Sequence, residues 1–171
     1  IAIPCNTAHA FVERIQSYLS IPIVNMLSET VSYIEKRHGD KTCIGLLATS
    51  GTIASRVYQQ AVDRNSGHNK FGMIVPDAEH QALVMDVIYG EQGVKAGFVN
   101  DEVRAKLQCV IAYLAAQGAD VIVLGCTELP LLIAQDDKFD VGGKKIPVLD
   151  PTEILARRCV ALASPQGRKA A

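Results

Sequence analysis

A chain of 171 residues, 49% hydrophobic and 20% charged, has the composition of an ordinary globular protein and enough apolar material for one large domain or two small α/β lobes. Its formal net charge of −1 gives no electrostatic reason to expect nucleic acid or a membrane surface as a partner. No apolar run approaches the roughly 18 residues of a membrane span and no signal-peptide pattern is visible, so a cytoplasmic location is expected.

Short apolar runs alternate with stretches of helical period, the pattern of a doubly wound α/β fold with a mostly parallel sheet. The chain opens Ile1-Ala2-Ile3-Pro4-Cys5, without methionine and in mid-strand, so a preceding segment is expected. Ala8, Phe11, Val12, Ile15, Tyr18 and Leu19 then fall on one helical face. Ser28 is expected to cap a helix running to about Arg37, with Gly39 beyond its end. After a strand at Cys43–Ala48, a helix starts at Gly51 or Thr52 and continues through Tyr58 and Val62. Phe71–Val75 reads as a strand, and Asp77 as the cap of a helix ending near Tyr89. Val103, Leu107, Val110, Ile111 and Leu114 form the next apolar face, closed by Gly118. Strands at Val121–Leu124 and Ile146–Leu149 follow, with Pro151 in the first turn of a last helix whose Ile154, Leu155 and Cys159 face inward. The tail Ser164–Ala171 is small and polar, and is expected to fray.

Five cysteines, at 5, 43, 109, 126 and 159, form no C-x-x-C pair, which removes zinc-ribbon and thioredoxin readings. Cys43, Cys109 and Cys159 read as core or near-core residues. His38, His68 and His80 make no metal-ligand grouping with the cysteines. Thr49-Ser50-Gly51-Thr52 joins a strand to a helix but lacks the Gly-Lys-Ser/Thr ending of a phosphate loop. The informative pair is Cys5 and Cys126. Each ends an apolar strand, is followed by threonine within two residues, and precedes a predicted helix. Ligands of open α/β sheets bind beyond the carboxyl ends of strands, and a helix N-terminus lowers a thiol pKa from about 8.5 toward neutrality. Two such thiols suit a reaction that removes a proton from one face of a carbon and returns one to the other.

Ile1-Ala2-Ile3-Pro4-Cys5-Asn6-Thr7-Ala8-His9 resembles the first cysteine signature of the aspartate/glutamate racemase family. Val121-Ile122-Val123-Leu124-Gly125-Cys126-Thr127-Glu128-Leu129-Pro130-Leu131-Leu132 resembles the second. The likeness extends through Gly45-Leu46-Leu47-Ala48-Thr49-Ser50-Gly51-Thr52 to Pro147-Val148-Leu149-Asp150-Pro151-Thr152. It implies two pseudo-symmetric α/β lobes, the first N-terminally incomplete here. Residues 1–24 would be part of lobe 1, 25–130 lobe 2, and 131–171 a return to lobe 1 and a tail. It further implies a racemase using neither pyridoxal phosphate nor metal, with Cys5 and Cys126 as acid/base thiols, a small amino acid as substrate, and a homodimer.

Asn6, Thr7 and Thr127 are implied to hold the substrate's α-carboxylate; their alternative is turn and N-cap chemistry. Glu128 either takes the Cys126 proton, tunes that thiol, or sits favourably in a helix's first turn. His9 is either a partner of Cys5 or a residue bonded to backbone. Lys95, within Ile88-Tyr89-Gly90-Glu91-Gln92-Gly93-Val94-Lys95-Ala96-Gly97, is similar to an aspartate-branch lysine that contacts substrate; otherwise it is a surface lysine. Glu128, where glutamate racemases usually carry histidine, favours aspartate. The alternatives are a glutamate, broad-specificity, hydantoin- or maleate-type relative, a non-catalytic carboxylate binder, or an incomplete, inactive product.

Overall fold

Strand residues alternate between two apolar faces, and helices cover both. A computed structural model describes residues 1–39, 41–66 and 71–164. Its elements are α1 (Val12–Gln16), α2 (Met26–His38), β1 (Cys43–Ala48), α3 (Ser50–Ala54), α4 (Val57–Ser66), β2 (Gly72–Ile74), α5 (Ala78–Tyr89), α6 (Asp101–Ala116), β3 (Val121–Gly125), β4 (Asp136–Val141), β5 (Lys144–Leu149) and α7 (Pro151–Ala163). The sheet order is β2-β1-β3-β5-β4. All neighbours run parallel except the β4–β5 hairpin.

In β3, Ile122 and Leu124 face one core with Leu107, Val110, Ile111 and Leu114 of α6 and Val84, Val87 and Ile88 of α5. Val121 and Val123 face the other, with Leu27, Val31 and Ile34 of α2, Tyr58 of α4 and Ile154 of α7. Such double coverage is what continuous apolar strands require. Gly45 lets α6 lie close on the sheet: a Cβ there would meet Ile122 Cδ1 at 2.8 Å and Ala119 Cβ at 2.9 Å. Among the described residues no helix is long and apolar enough to cross a membrane.

Four local expectations are corrected. Ile1–Ile3 is no strand; Ala2 makes a single parallel bridge to Val24, because among the described residues no longer neighbour pairs with it. Of the N-terminal apolar face only Val12 is buried, whereas Phe11 is 54% and Tyr18 89% exposed. Asn25, not Ser28, caps α2, its side chain accepting from Leu27 and Ser28 N–H at 3.0 Å. The single helix expected after Thr49 is two, α3 and α4, broken at Arg56, whose φ of 54° is left-handed. That conformation costs a side-chain-bearing residue about 1–2 kcal/mol.

Strand β4 has no counterpart in the sequence reading, and with β5 it extends the same sheet as β1 and β3. Residue 130, the expected boundary, lies between β3 and β4 in the chain. Cys109 is exposed and so is not the core or near-core residue anticipated, whereas Cys43 and Cys159 are half-buried. The tail beyond Ser164 and His68 lie outside the described residues.

Candidate active site

Cys5, Asn6, Thr7, Thr49, Tyr89, Lys95, Gly125, Cys126, Thr127 and Glu128 line one cleft of about 80 Å³ beyond the carboxyl ends of β1 and β3. The two thiols and all five further predicted site residues thus converge. A larger hollow of about 220 Å³ between α2 and α7 contains no cysteine. Among the described residues no group of His, Cys, Asp and Glu could hold a metal ion.

Cys126 is almost buried, at 9% exposure. Its Sγ donates to Glu128 Oε2 at 2.9 Å, and Thr127 Oγ1 donates to the same oxygen at 3.1 Å. Lys95 Nζ sits 2.7 Å from the other oxygen, Oε1, and 5.3 Å above the Tyr89 ring. Burial, and then the hydrogen-bonded Glu128 carboxylate, push the Cys126 thiol up to about 12. Burial works against Glu128's ionisation, yet hydrogen bonds from Cys126, Lys95 and Thr127 hold its carboxyl down to about 2. Of the two opposed influences on the Cys126 thiol, the helix start and the Glu128 carboxylate, the carboxylate prevails. Only a three-residue 3-10 turn, Leu129–Leu131, follows Cys126, and so brief a turn offers little dipole against a full carboxylate charge.

Lys95 is exposed but not free. It is ion-paired, although with its side chain 43% exposed it retains donors toward the cleft. Glu128 likewise does more than occupy a first turn: it links Lys95, Thr127 and Cys126.

On the other side, Cys5 is exposed and opens onto the 3-10 turn Thr7–Phe11. Asn6 is 3% exposed and makes no side-chain cap; its Oδ1 accepts from Tyr58 Oη at 2.6 Å. The Thr7 hydroxyl lies 2.6 Å from that of Thr52, which lies 3.0 Å from that of Thr49. The loop Thr49–Thr52 thus touches the site through hydroxyls.

His9 resolves in favour of backbone bonding. Met26 N–H donates to Nε2 at 3.1 Å, which leaves the proton on Nδ1, 2.8 Å from the Cys5 carbonyl oxygen. A neutral imidazole thereby ties the Cys5 backbone to the start of α2. Burial holds its pKa below the ordinary histidine value. Since the unfolded chain binds that proton more readily, the His9 contribution to stability is complete above about pH 6.5 and is lost as pH falls through the lowered folded value. Thermal unfolding followed from pH 8 to 5 should show this acid loss in the parent protein and a shallower one in His9→Asn. Equal slopes would discount it.

Tyr58 and Tyr89 were missed in the sequence, because an aromatic residue at helical spacing carries the same signal as core. Tyr58 is indeed buried in core, and only its hydroxyl reaches the site.

A mostly parallel sheet that presents Cys126 beside a second unbridged thiol, Cys5, in one cleft defines a class of α/β protein built around paired thiols. The chain belongs to the Asp/Glu/hydantoin racemase family, whose model matches residues 1–159. It is 29% identical over 161 residues to the broad specificity amino-acid racemase RacX of Bacillus subtilis, covering 94% of this chain and 63% of that one. To a glutamate racemase of Shewanella frigidimarina it is 27% identical, covering 96% of this chain and 58% of the relative. The crystal structure of an aspartate racemase homologue from Pyrococcus horikoshii superposes with a TM-score of 0.74 at 25% identity, over 95% of this chain and 66% of the other. The chain thus spans less than two thirds of each relative's length.

Proposed function

We propose that the protein is a cofactor-independent racemase of an acidic amino acid, aspartate foremost, with Cys5 and Cys126 as its two acid/base thiols. The observation that carries this reading is the convergence of both cysteines on one cleft beside the linked Lys95, Glu128 and Thr127. In this reading residues 1–24 belong to one lobe, the sheet β1–β5 forms the other, and the cleft lies between.

One turnover begins with one thiolate and one thiol. The thiolate takes the substrate's α-proton and becomes a thiol; the opposite thiol protonates the other face of the carbanion and becomes a thiolate. Protons balance, and each cysteine exchanges roles in the reverse direction. In the resting cleft Cys126 holds its proton, since burial and Glu128 both favour the thiol. Asn6, Thr7 and Thr127 supply donors to the α-carboxylate, where charge grows as the proton leaves. Lys95 supplies a cation for the side-chain carboxylate.

Incubating the full-length protein with L-aspartate in D2O should yield D-aspartate and α-deuterium, read by chiral chromatography and proton NMR. Absence of both products would sink the proposal. The likeness to a broad-specificity relative favours a second reading in which several amino acids are turned over, and a substrate panel separates the two.

A further inference from the structure

Successive residues Asn6 and Thr7 are gripped by one segment of chain. Thr52 holds the Thr7 hydroxyl, and Tyr58, two residues past the left-handed turn at Arg56, reaches Asn6. The Tyr58–Asn6 contact decides which way the carboxamide faces. At 2.6 Å it has the length of an O–H···O bond; N–H···O bonds centre near 2.9–3.0 Å. Rotating the amide by half a turn would place nitrogen against the phenol and leave the buried Tyr58 hydroxyl hydrogen without an acceptor. Burial pushes the phenol well above its ordinary range, so it remains a donor throughout the working pH range. Asn6 Oδ1 is thereby committed to Tyr58. At the opposite end of the same amide, Nδ2 is buried and has no partner, although Asn6 lines the cleft. A buried donor left unsatisfied is costly, a cost removed by a ligand that supplies an acceptor.

We infer that Tyr58 is a positioning residue: by holding the Asn6 carboxamide through its oxygen, its hydroxyl presents the Asn6 amide N–H to a carboxylate bound in the cleft. This rests on the racemase reading for the identity of that carboxylate as the substrate's. Tyr58 itself touches neither substrate nor thiol. Without its hydroxyl the amide can turn, and Oδ1 would then face the carboxylate, replacing a donor by a repelling oxygen.

The test is Tyr58→Phe in the full-length protein, which keeps the ring in the core and deletes one oxygen. Its KM for L-aspartate should rise about tenfold, with a smaller fall in kcat, as for loss of an interaction made on binding and strengthened as charge grows on the carboxylate. Unfolding temperature, read alongside, verifies that the ring still packs. Independently of turnover, the Asn6 side-chain amide signals in 15N-edited NMR should shift when L-aspartate is added to the parent protein, and shift much less in the variant at the same aspartate concentration. A folded variant with unchanged KM overturns the inference, as does a parent Asn6 amide that does not move at high aspartate. If that amide moves and responds to Tyr58→Phe while no α-deuterium is incorporated, the positioning role stands and the racemase reading falls. If α-deuterium is incorporated while the amide stays still, the outcome is reversed.

Discussion

Cys126→Ala and Cys5→Ala are each expected to lower racemisation by about a thousandfold or more, because each deletes a proton carrier that the other cannot replace on its own side of the substrate. The two losses should not multiply: once either thiol is absent inversion has stopped, so the double variant should be about as inactive as either single one. The single variants should differ in another respect. A protein retaining only Cys5 can still take the α-proton of the enantiomer facing it and return a deuteron to the same face. Exchange without inversion is therefore expected in one enantiomer for Cys126→Ala and in the opposite enantiomer for Cys5→Ala. Proton NMR of L- and D-aspartate incubated separately with each variant in D2O measures this, and assigns each thiol to a face. Near-parent racemisation by either variant would rule out the two-thiol mechanism. Folding is not at issue for Cys5, which is exposed. For the buried Cys126, loss of one sulfur atom leaves a small void, tolerable for a sheet packed on both faces.

The sheet was legible where both of its faces are covered. Cys43–Ala48 is predicted and observed residue for residue, and the Asp77 cap of α5 likewise. In each, local chemistry and tertiary burial point the same way. Legibility failed where they part. Strand β4 reads Asp136-Asp137-Lys138-Phe139-Asp140-Val141, a charged edge that resists further pairing and so lacks an apolar pattern. Its signal was Gly142-Gly143, both at positive φ, the chemistry of a tight hairpin turn. The N-terminal apolar face had the right period but no surface to pack on among the described residues.

At the site, residue types were readable but their couplings were not. Cys126 and Glu128 stand two apart in sequence, yet no spacing rule says whether the carboxylate points at the thiol. Its direction depends on Lys95, 33 positions earlier, and the thiol's pKa depends first on burial. Tyr58 illustrates the same limit: its 52-residue separation from Asn6 is set by how α4 packs against the sheet.

That coupling gives Glu128→Gln a distinctive signature, in which Cys126 becomes chemically more reactive while turnover falls. Glutamine retains an oxygen to accept the thiol's hydrogen bond and removes the negative charge. One of the two causes that raise the thiol to about 12 is then weakened, and Lys95, released from its partner, stabilises a thiolate instead. The Cys126 pKa should fall, while burial keeps it above an ordinary cysteine. Since the thiolate is the nucleophile and each pKa unit is tenfold in its population well below the pKa, carboxamidomethylation of Cys126 by iodoacetamide at pH 8 should accelerate about tenfold. Mass spectrometry separates it from Cys5. Racemisation should nevertheless drop roughly 10–100-fold, because Lys95, released from Glu128, pairs with the Cys126 thiolate and no longer meets the substrate's side-chain carboxylate. Acid sensitivity should change as well. The parent carboxyl is held down to about 2, so it stabilises the fold above the ordinary carboxyl range, near 4.3, and that contribution disappears as pH falls toward 2. The glutamine variant has no such transition. Slower or unchanged alkylation of Cys126 would show that Glu128 does not raise the thiol's pKa, and its part in the cleft would shrink to anchoring Lys95.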